Sequence, residues 1–239
     1  MTELEYLPAF ILHTRPYRET SQLVDLFVAN AGKITVVSRG SRTQKSAIKG
    51  LLQPFIPVNV RYTGKSSLKI LQKIEASSLH ITLPGERLFT AMYLNELLYY
   101  LLESDTNYPG LFSSYFQALL SMSDVSVPVA DTLRQFEFLL IQQLGYGVDF
   151  EYEADSMMPI QSNQYYRYHL ETGFIPTELR DNTIFRGHEI LGMATQQFTD
   201  NSIASAARKF CRQAFAALLG NKRLRSRELY SAYISRRSE

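Results

Sequence analysis

Hydrophobic positions come in short, partly alternating runs over the first 80 residues and then switch to three- and four-residue spacing for most of the remainder. The runs Tyr6–His13, Gln22–Ala29, Lys33–Ser38, Leu52–Arg61 and Ser67–Ile74, rich in Val, Ile, Leu and Phe, predict five strands. Turn chemistry bounds them. Asn30-Ala-Gly32 separates the second and third at hairpin spacing, Gly40 and Gly50 bracket a polar loop, and Thr63-Gly64-Lys65-Ser66 separates the last two. Five antiparallel strands in so short a stretch suit a small closed barrel, with the OB-fold as the leading form and an SH3-like barrel as the alternative.

After Pro84-Gly85 the period lengthens. Leu88, Phe89, Met92, Leu94, Leu97, Leu98, Leu101 and Leu102 predict a long buried helix over Arg87–Ser104. Further helices are expected over Leu111–Met122 and over Pro128–Leu144, the last with Pro128 in its first turn and Gly145 past its end. Asp149–Ile175 reads as an irregular or hairpin insert. Helices His188–Gln197 and Ser202–Leu219 follow, and a final short one begins near Ser226, a capping residue with Glu228 in the first turn. The expected fold is a two-domain α+β protein: an OB-fold at 1–81, then a helical domain at 82–239 with a small metal-free insert at about 149–187.

Composition narrows the class. A chain of 239 residues that is 45% apolar and 12% aromatic can bury a sizeable core. No run of 18 apolar residues occurs and no basic leader precedes an apolar stretch, so a cytoplasmic protein without membrane contact is expected. The single cysteine, Cys211, excludes an internal disulfide and a cysteine-rich zinc site, and its helical setting predicts a buried structural thiol.

Charge changes the picture more than composition does. The formal net charge is only +2, but residues 26–74 hold nine basic side chains and no acid. These are Lys33, Arg39, Arg42, Lys45, Lys49, Arg61, Lys65, Lys69 and Lys73. The four segments 1–25, 26–74, 75–163 and 164–239 carry −2, +9, −10 and +5. Ordinary surfaces intersperse both signs, so an acid-free stretch of this length points to a polyanionic partner rather than to a solvated lysine face. A second block, Arg208, Lys209, Arg212, Lys222, Arg223, Arg225 and Arg227, is free of acids between Asp200 and Glu228.

No catalytic constellation emerges. Gly64-Lys65-Ser66 resembles the end of a phosphate loop, but Asn59 replaces the required earlier glycine and the string falls between strands, without the helix N-terminus that would hold a phosphate. There is no Gly-x-Ser-x-Gly, and His13, His80, His169 and His188 stand apart as surface or strand-edge residues. The alternating acids Asp149, Glu151, Glu153 and Asp155 would share one strand face, more economically a solvated edge than a cation site. No cofactor or metal is expected.

On a barrel, the charges fall where OB-folds grip a nucleic-acid backbone. Arg39, Arg42, Lys45 and Lys49 crowd one loop, Arg61 and Lys65 flank the next turn, and Lys69 and Lys73, four apart on a strand, would share a face. Of the aromatics Phe10, Tyr17, Phe27, Phe55 and Tyr62, most are expected to fill the barrel. Tyr17 and Tyr62, nearest to loops, are the candidate base platforms. The second block suits either DNA or an acidic peptide tail with an apolar end.

Six segments, in order along nearly the whole chain, resemble one family. They are Phe10-Ile-Leu-His-Thr-Arg-Pro-Tyr-Arg-Glu-Thr-Ser21, Lys49-Gly-Leu-Leu-Gln-Pro-Phe55, Tyr93-Leu-Asn-Glu-Leu-Leu98, Leu133-Arg-Gln-Phe-Glu137, Leu144-Gly-Tyr-Gly-Val148 and Leu224-Arg-Ser-Arg-Glu-Leu229. The chain is similar in these to the bacterial recombination mediator RecO. That resemblance implies an N-terminal OB-fold and a C-terminal helical domain. It also implies a non-enzymatic protein that binds single- and double-stranded DNA, anneals complementary strands, binds the C-terminal tail of single-strand binding protein and works with RecR to load RecA. Some members carry a four-cysteine zinc module in the second domain; with Cys211 alone, the segment Asp149–Ile175 would be its metal-free remnant. Arg134 and Arg212 are the residues expected to meet the acidic tail. Two rival readings are an OB-fold RNA-binding protein of the translation machinery and a DNA-processing enzyme.

Overall fold

The protein is described by a computed structural model covering residues 5–237. The chain divides into two compact units, Met1–Val129 together with Lys222–Glu239, and Ala130–Asn221.

In the first unit, β1 (Leu7–Tyr17), β2 (Ser21–Val28), β3 (Gly32–Ser38), β4 (Val58–Thr63) and β5 (Leu68–Ala76) close into a barrel in the order β1-β2-β3-β5-β4, with β3 and β5 parallel and β1 returning to β4. This is the strand order of an OB-fold. Ala9, Ile11, Val24, Leu26, Val28, Ile34, Val36, Val58, Val60 and Ile74 fill the interior. Aromatics were expected there, and the core is instead aliphatic. Phe10 and Phe27 stand opposite each other on the outside and are buried by Phe112 and Tyr115 of a later helix.

The expected strand Leu52–Arg61 begins only at Val58. Pro54 and Pro57 lack the donors a ladder needs, so the apolar run Ile48, Leu51, Leu52 and Ile56 packs against the barrel core as a loop. The Gly64-Lys65-Ser66 string lies in the connection between β4 and β5, as its context predicts.

Helix α1 (Glu86–Leu101) joins the barrel through Asn95. A bulge in β1 between Ile11 and His13 leaves the Leu12 carbonyl out of the ladder, and the Asn95 amide donates to it at 2.6 Å. Tyr115 on α2 (Leu111–Ser123) donates its hydroxyl to the Asn95 side-chain oxygen at 3.1 Å. The expected extension of α1 to Ser104 does not form. Leu102 is extended, and the chain turns back so that Asp105 N–H donates to the Lys33 carbonyl at 2.9 Å. Gly32 is required at this crossing, since a Cβ there would lie 1.8 Å from the Thr106 carbonyl oxygen and φ is +75°.

The last helix, α6 (Arg225–Arg237), is 13 residues long rather than short. Its start is capped by Glu96 of α1, which accepts from the backbone N–H of Arg225 at 3.0 Å and of Ser226 at 2.9 Å, and from the Ser226 hydroxyl at 2.5 Å. A carboxylate at a helix N-terminus meets both the orphan donors and the dipole. Arg87, next to the start of α1, donates to the carbonyls of Met122, Asp124, Val125 and Val127 and so shapes the turn after α2.

The second unit holds α3 (Val129–Ile141), which gives way to a wider π turn at Gln142–Tyr146 where Gly145 has φ +87°, so the regular helix stops short of Leu144. The insert is a three-stranded sheet, β6 (Tyr165–His169), β7 (Gly173–Pro176) and β8 (Phe185–Arg186), in the order β7-β6-β8. It is followed by α4 (Gly187–Ala194) and α5 (Asn201–Leu219), the latter capped by Asp200. Phe138, Phe150, Tyr168, Phe174 and Phe210 form one aromatic cluster, with ring centroids 4.8–6.0 Å apart.

The four alternating acids do not form a strand face. Asp149 accepts from the N–H groups of Glu151 and Tyr152, which makes a turn, and Glu153 is buried against the hydroxyls of Ser156 and Tyr166. Cys211 is buried in α5, where burial pushes its thiol pKa up.

Candidate nucleic-acid interface

In the antiparallel ladder from β1 to β3, every second residue turns outward. His13, Arg15 and Tyr17 on β1 stand beside Asp25, Leu23 and Ser21 on β2, and Lys33, Thr35 and Val37 continue the face on β3. The end with Phe10 and Phe27 is covered by α2. The other end is a cleft of about 620 Å³, lined by Tyr17, Arg18, Glu19, Thr20, Ser21, Val37, Arg39, Gly40, Leu68 and Ile70. The β1–β2 turn and the strand after the β4–β5 loop thus meet at the open end of the β2–β3 face, which is where OB-folds take oligonucleotides.

The loop beyond this cleft carries the expected cations, in two roles. Arg39, Lys45 and Lys49 are exposed. Arg42 donates to the carbonyls of Arg18 and Glu19 at 3.1 and 3.3 Å, while its own N–H bonds the Thr20 carbonyl at 2.9 Å. Its main work is to pin the loop to the β1–β2 turn. Lys65 is exposed between β4 and β5, and Arg61 lies 5.2 Å from the Tyr6 ring.

Lys69 and Lys73 do not share a face. A bulge in β5 moves the pairing from Tyr62↔Leu71 to Arg61↔Lys73, which inverts the alternation between them. Lys69 falls on the side of Leu71 and pairs with Asp105, whereas Lys73 is exposed on the side away from buried Ile74. Tyr17 lines the cleft with the Arg18 guanidinium 5.2 Å from its ring. Tyr62 packs against the barrel core, and burial raises its hydroxyl pKa, so only one of the two candidate platforms faces the site.

Lys33, the first cation of the acid-free run, is half-buried and donates to the Tyr99 carbonyl at 2.9 Å; desolvation lowers its pKa. Arg15 and Arg18 flank the outer face although the charge count missed them. They precede Asp25 with Glu19 nearby, so a tally of uninterrupted basic residues cannot find them, whereas strand alternation from Tyr17 could find Arg15, and Arg18 follows in the β1–β2 turn.

The second basic block is divided between the two units. Arg208 and Arg212 are exposed on α5, but Lys209 donates to the Ile184 carbonyl and sits 4.2 Å from the Phe185 ring. Arg134 is 11% exposed and pairs at 2.6 Å with Glu137, itself 1% exposed, so it is committed within the helical core. Lys222, Arg223, Arg225 and Arg227 are exposed in the first unit, at and before α6. Among the described residues, no group of three or more His, Cys, Asp or Glu could hold a metal, and no helix is long and apolar enough to cross a membrane.

Barrel topology, an open outer face and basic loops define an OB-fold protein with appended helices. Family models agree in detail. The model for Recombination protein O N terminal matches residues 1–80, and that for Recombination protein O C terminal matches residues 84–228. Among curated relatives, the DNA repair protein RecO of Tolumonas auensis is 64% identical over 239 residues, covering all of both chains. Those of Pasteurella multocida and Mannheimia succiniciproducens are 43% and 45% identical over 94% of this chain, and over 94% and 98% of their own. The chain belongs to the RecO family of DNA repair proteins.

Proposed function

We propose that this protein is a non-enzymatic recombination mediator that binds single- and double-stranded DNA through its barrel and anneals complementary strands. The observation that carries the reading is the cleft at the open end of the barrel's outer face, bordered by Tyr17 and Arg39 and continued by the exposed Lys45 and Lys49. Two strands repel through their phosphates. Exposed cations on this loop neutralise part of that charge and release condensed counterions, which lowers the cost of bringing the strands together.

A separate site on the second unit captures the acidic C-terminal tail of single-strand binding protein, and tethering to coated DNA then raises the local concentration of strands. With Arg134 and Lys209 committed internally, Arg208 and Arg212 are the α5 cations left for that tail. Partnership with RecR and loading of RecA, in a cytoplasmic and nucleoid-associated setting, complete the role. Neither the RNA reading nor the enzymatic one is favoured by a specific observation.

Annealing of two labelled complementary strands at near-physiological salt tests the proposal. Changing Arg39, Lys45 and Lys49 together to Glu is expected to slow annealing by about 10-fold or more, because each lost phosphate contact weakens binding. Arg42 is left in place, since its side chain holds the loop to the β1–β2 turn. Unaltered annealing in this variant would overturn the assignment.

A further inference from the structure

The outer face of β1 continues past the cleft. His13, Arg15 and Tyr17 alternate onto it, and Tyr17 lines the cleft. At the opposite end the His13 ring lies 4.7 Å from that of Tyr99 on α1, and an Arg15 guanidinium nitrogen is 3.5 Å from the Tyr99 hydroxyl. Both His13 and Arg15 remain nearly half exposed, at 45% and 44% of their side chains. The ring of Tyr100 follows at 5.0 Å. One helical face then leads from Tyr100 back two turns to Tyr93, over which the Arg227 guanidinium stands at 5.3 Å.

Cations punctuate these rings. Lys33 donates to the Tyr99 carbonyl at 2.9 Å and Lys222 to the Tyr100 carbonyl at 3.0 Å, with their ammonium groups 5.9 and 5.6 Å from the respective ring centroids. Two ammonium groups on adjacent carbonyls at one helix end repel each other, and an incoming anion would relieve that repulsion. Two neighbouring carboxylates, Asp25 and Glu96, are already engaged. Asp25 accepts from Thr35 at 2.6 Å and faces Arg15 and His13, and both oxygens of Glu96 cap α6.

We propose that this stripe, from Tyr17 through His13, Tyr99 and Tyr100 to Lys222 and Arg227, is a track for single-stranded DNA that extends the barrel cleft along α1 to α6. The inference rests on the barrel being a nucleic-acid interface. Rings and cations alternate along the stripe as bases and phosphates alternate along a strand, which is the arrangement of sequence-tolerant single-strand grooves. The strand portion spans about 13 Å from His13 to Tyr17 and the helical portion about 10 Å from Tyr93 to Tyr100, so several nucleotides lie beyond the cleft. Lys222 and Arg227 of the second basic block thereby join the surface of the first, instead of forming a separate peptide site.

Length dependence is the test. Fluorescence anisotropy with oligothymidylates of about 6 and about 20 nucleotides brackets the footprint of a single OB-fold. The variant Lys222→Gln with Arg227→Gln is expected to weaken the longer oligonucleotide about 10-fold and to reduce its salt slope by about 1.4, leaving the shorter within about twofold. Tyr100→Leu, which removes a ring and keeps bulk, should give the same length-selective loss. Equal loss on both lengths, or none, overturns the track. So does intact DNA binding combined with lost binding of an acidic peptide with an apolar C-terminus, which would make the patch a peptide dock. Arg39→Glu with Lys45→Glu separates the underlying reading: it should weaken both lengths, and if both stay unchanged the barrel is not the interface, whatever the length dependence of the α6 variant.

Discussion

Asn95 illustrates how one polar side chain fixes the placement of several elements. Its amide donates to a β1 carbonyl released by a bulge, and its oxygen accepts from Tyr115, so three elements meet in one buried pair of hydrogen bonds. Asn95→Ala leaves the Leu12 carbonyl and the Tyr115 hydroxyl buried without these partners, an expected loss of about 2–4 kcal/mol. Urea denaturation monitored by circular dichroism would read this as a lowered midpoint with the slope retained; a midpoint equal to wild type would show that the network is dispensable. Within a buried apolar helix pattern, Asn95 reads from sequence only as an interruption. Its purpose depends on a bulge that strand periodicity does not reveal. The same holds for Lys69, whose face was inverted by one extra residue in β5.

At the scale of elements, the segments Tyr93–Leu98 and Leu224–Leu229 carry the family resemblance and turn out to touch: Glu96 of the first caps the helix that begins in the second. Glu96→Ala should fray α6 with a cost of about 1–2 kcal/mol. Limited trypsin digestion is the direct readout, since cleavage after Arg225 and Arg227 should accelerate while the barrel resists; equal digestion rates would deny the cap a role. Strand and helix periods were legible because alternation and the 3.6 repeat report burial directly, so the barrel, α1, α2 and α5 fall close to their expected spans. Misreadings share a cause. Leu52 to Pro57 is apolar because it packs against the core without pairing, and the acids from Asp149 to Asp155 alternate in sequence but are folded into a turn.

For the whole molecule, charge was legible as composition and opaque as geometry. An acid-free run singles out a polyanion surface, yet it does not say that Lys33 is tied to α1, that Arg42 pins a loop or that Arg134 is consumed by Glu137. It also omits Arg15, which strand alternation puts on the face of Tyr17, and Arg18, which the β1–β2 turn brings to the cleft. The proposed DNA surface is therefore a subset of the basic residues, supplemented by two that the count passed over. Two compact units divide the second block, and this separates cations that neighbour one another in sequence into different candidate roles.

The central claim is that loop cations at the barrel cleft neutralise DNA phosphates. Titration of a labelled single strand across a salt series measures it most directly. Five phosphate contacts give a slope of log affinity against log salt of roughly −3.5, and removing three with Arg39→Glu, Lys45→Glu and Lys49→Glu should flatten it to roughly −1.4 while weakening binding. A slope that stays at the wild-type value in the triple variant would contradict the account.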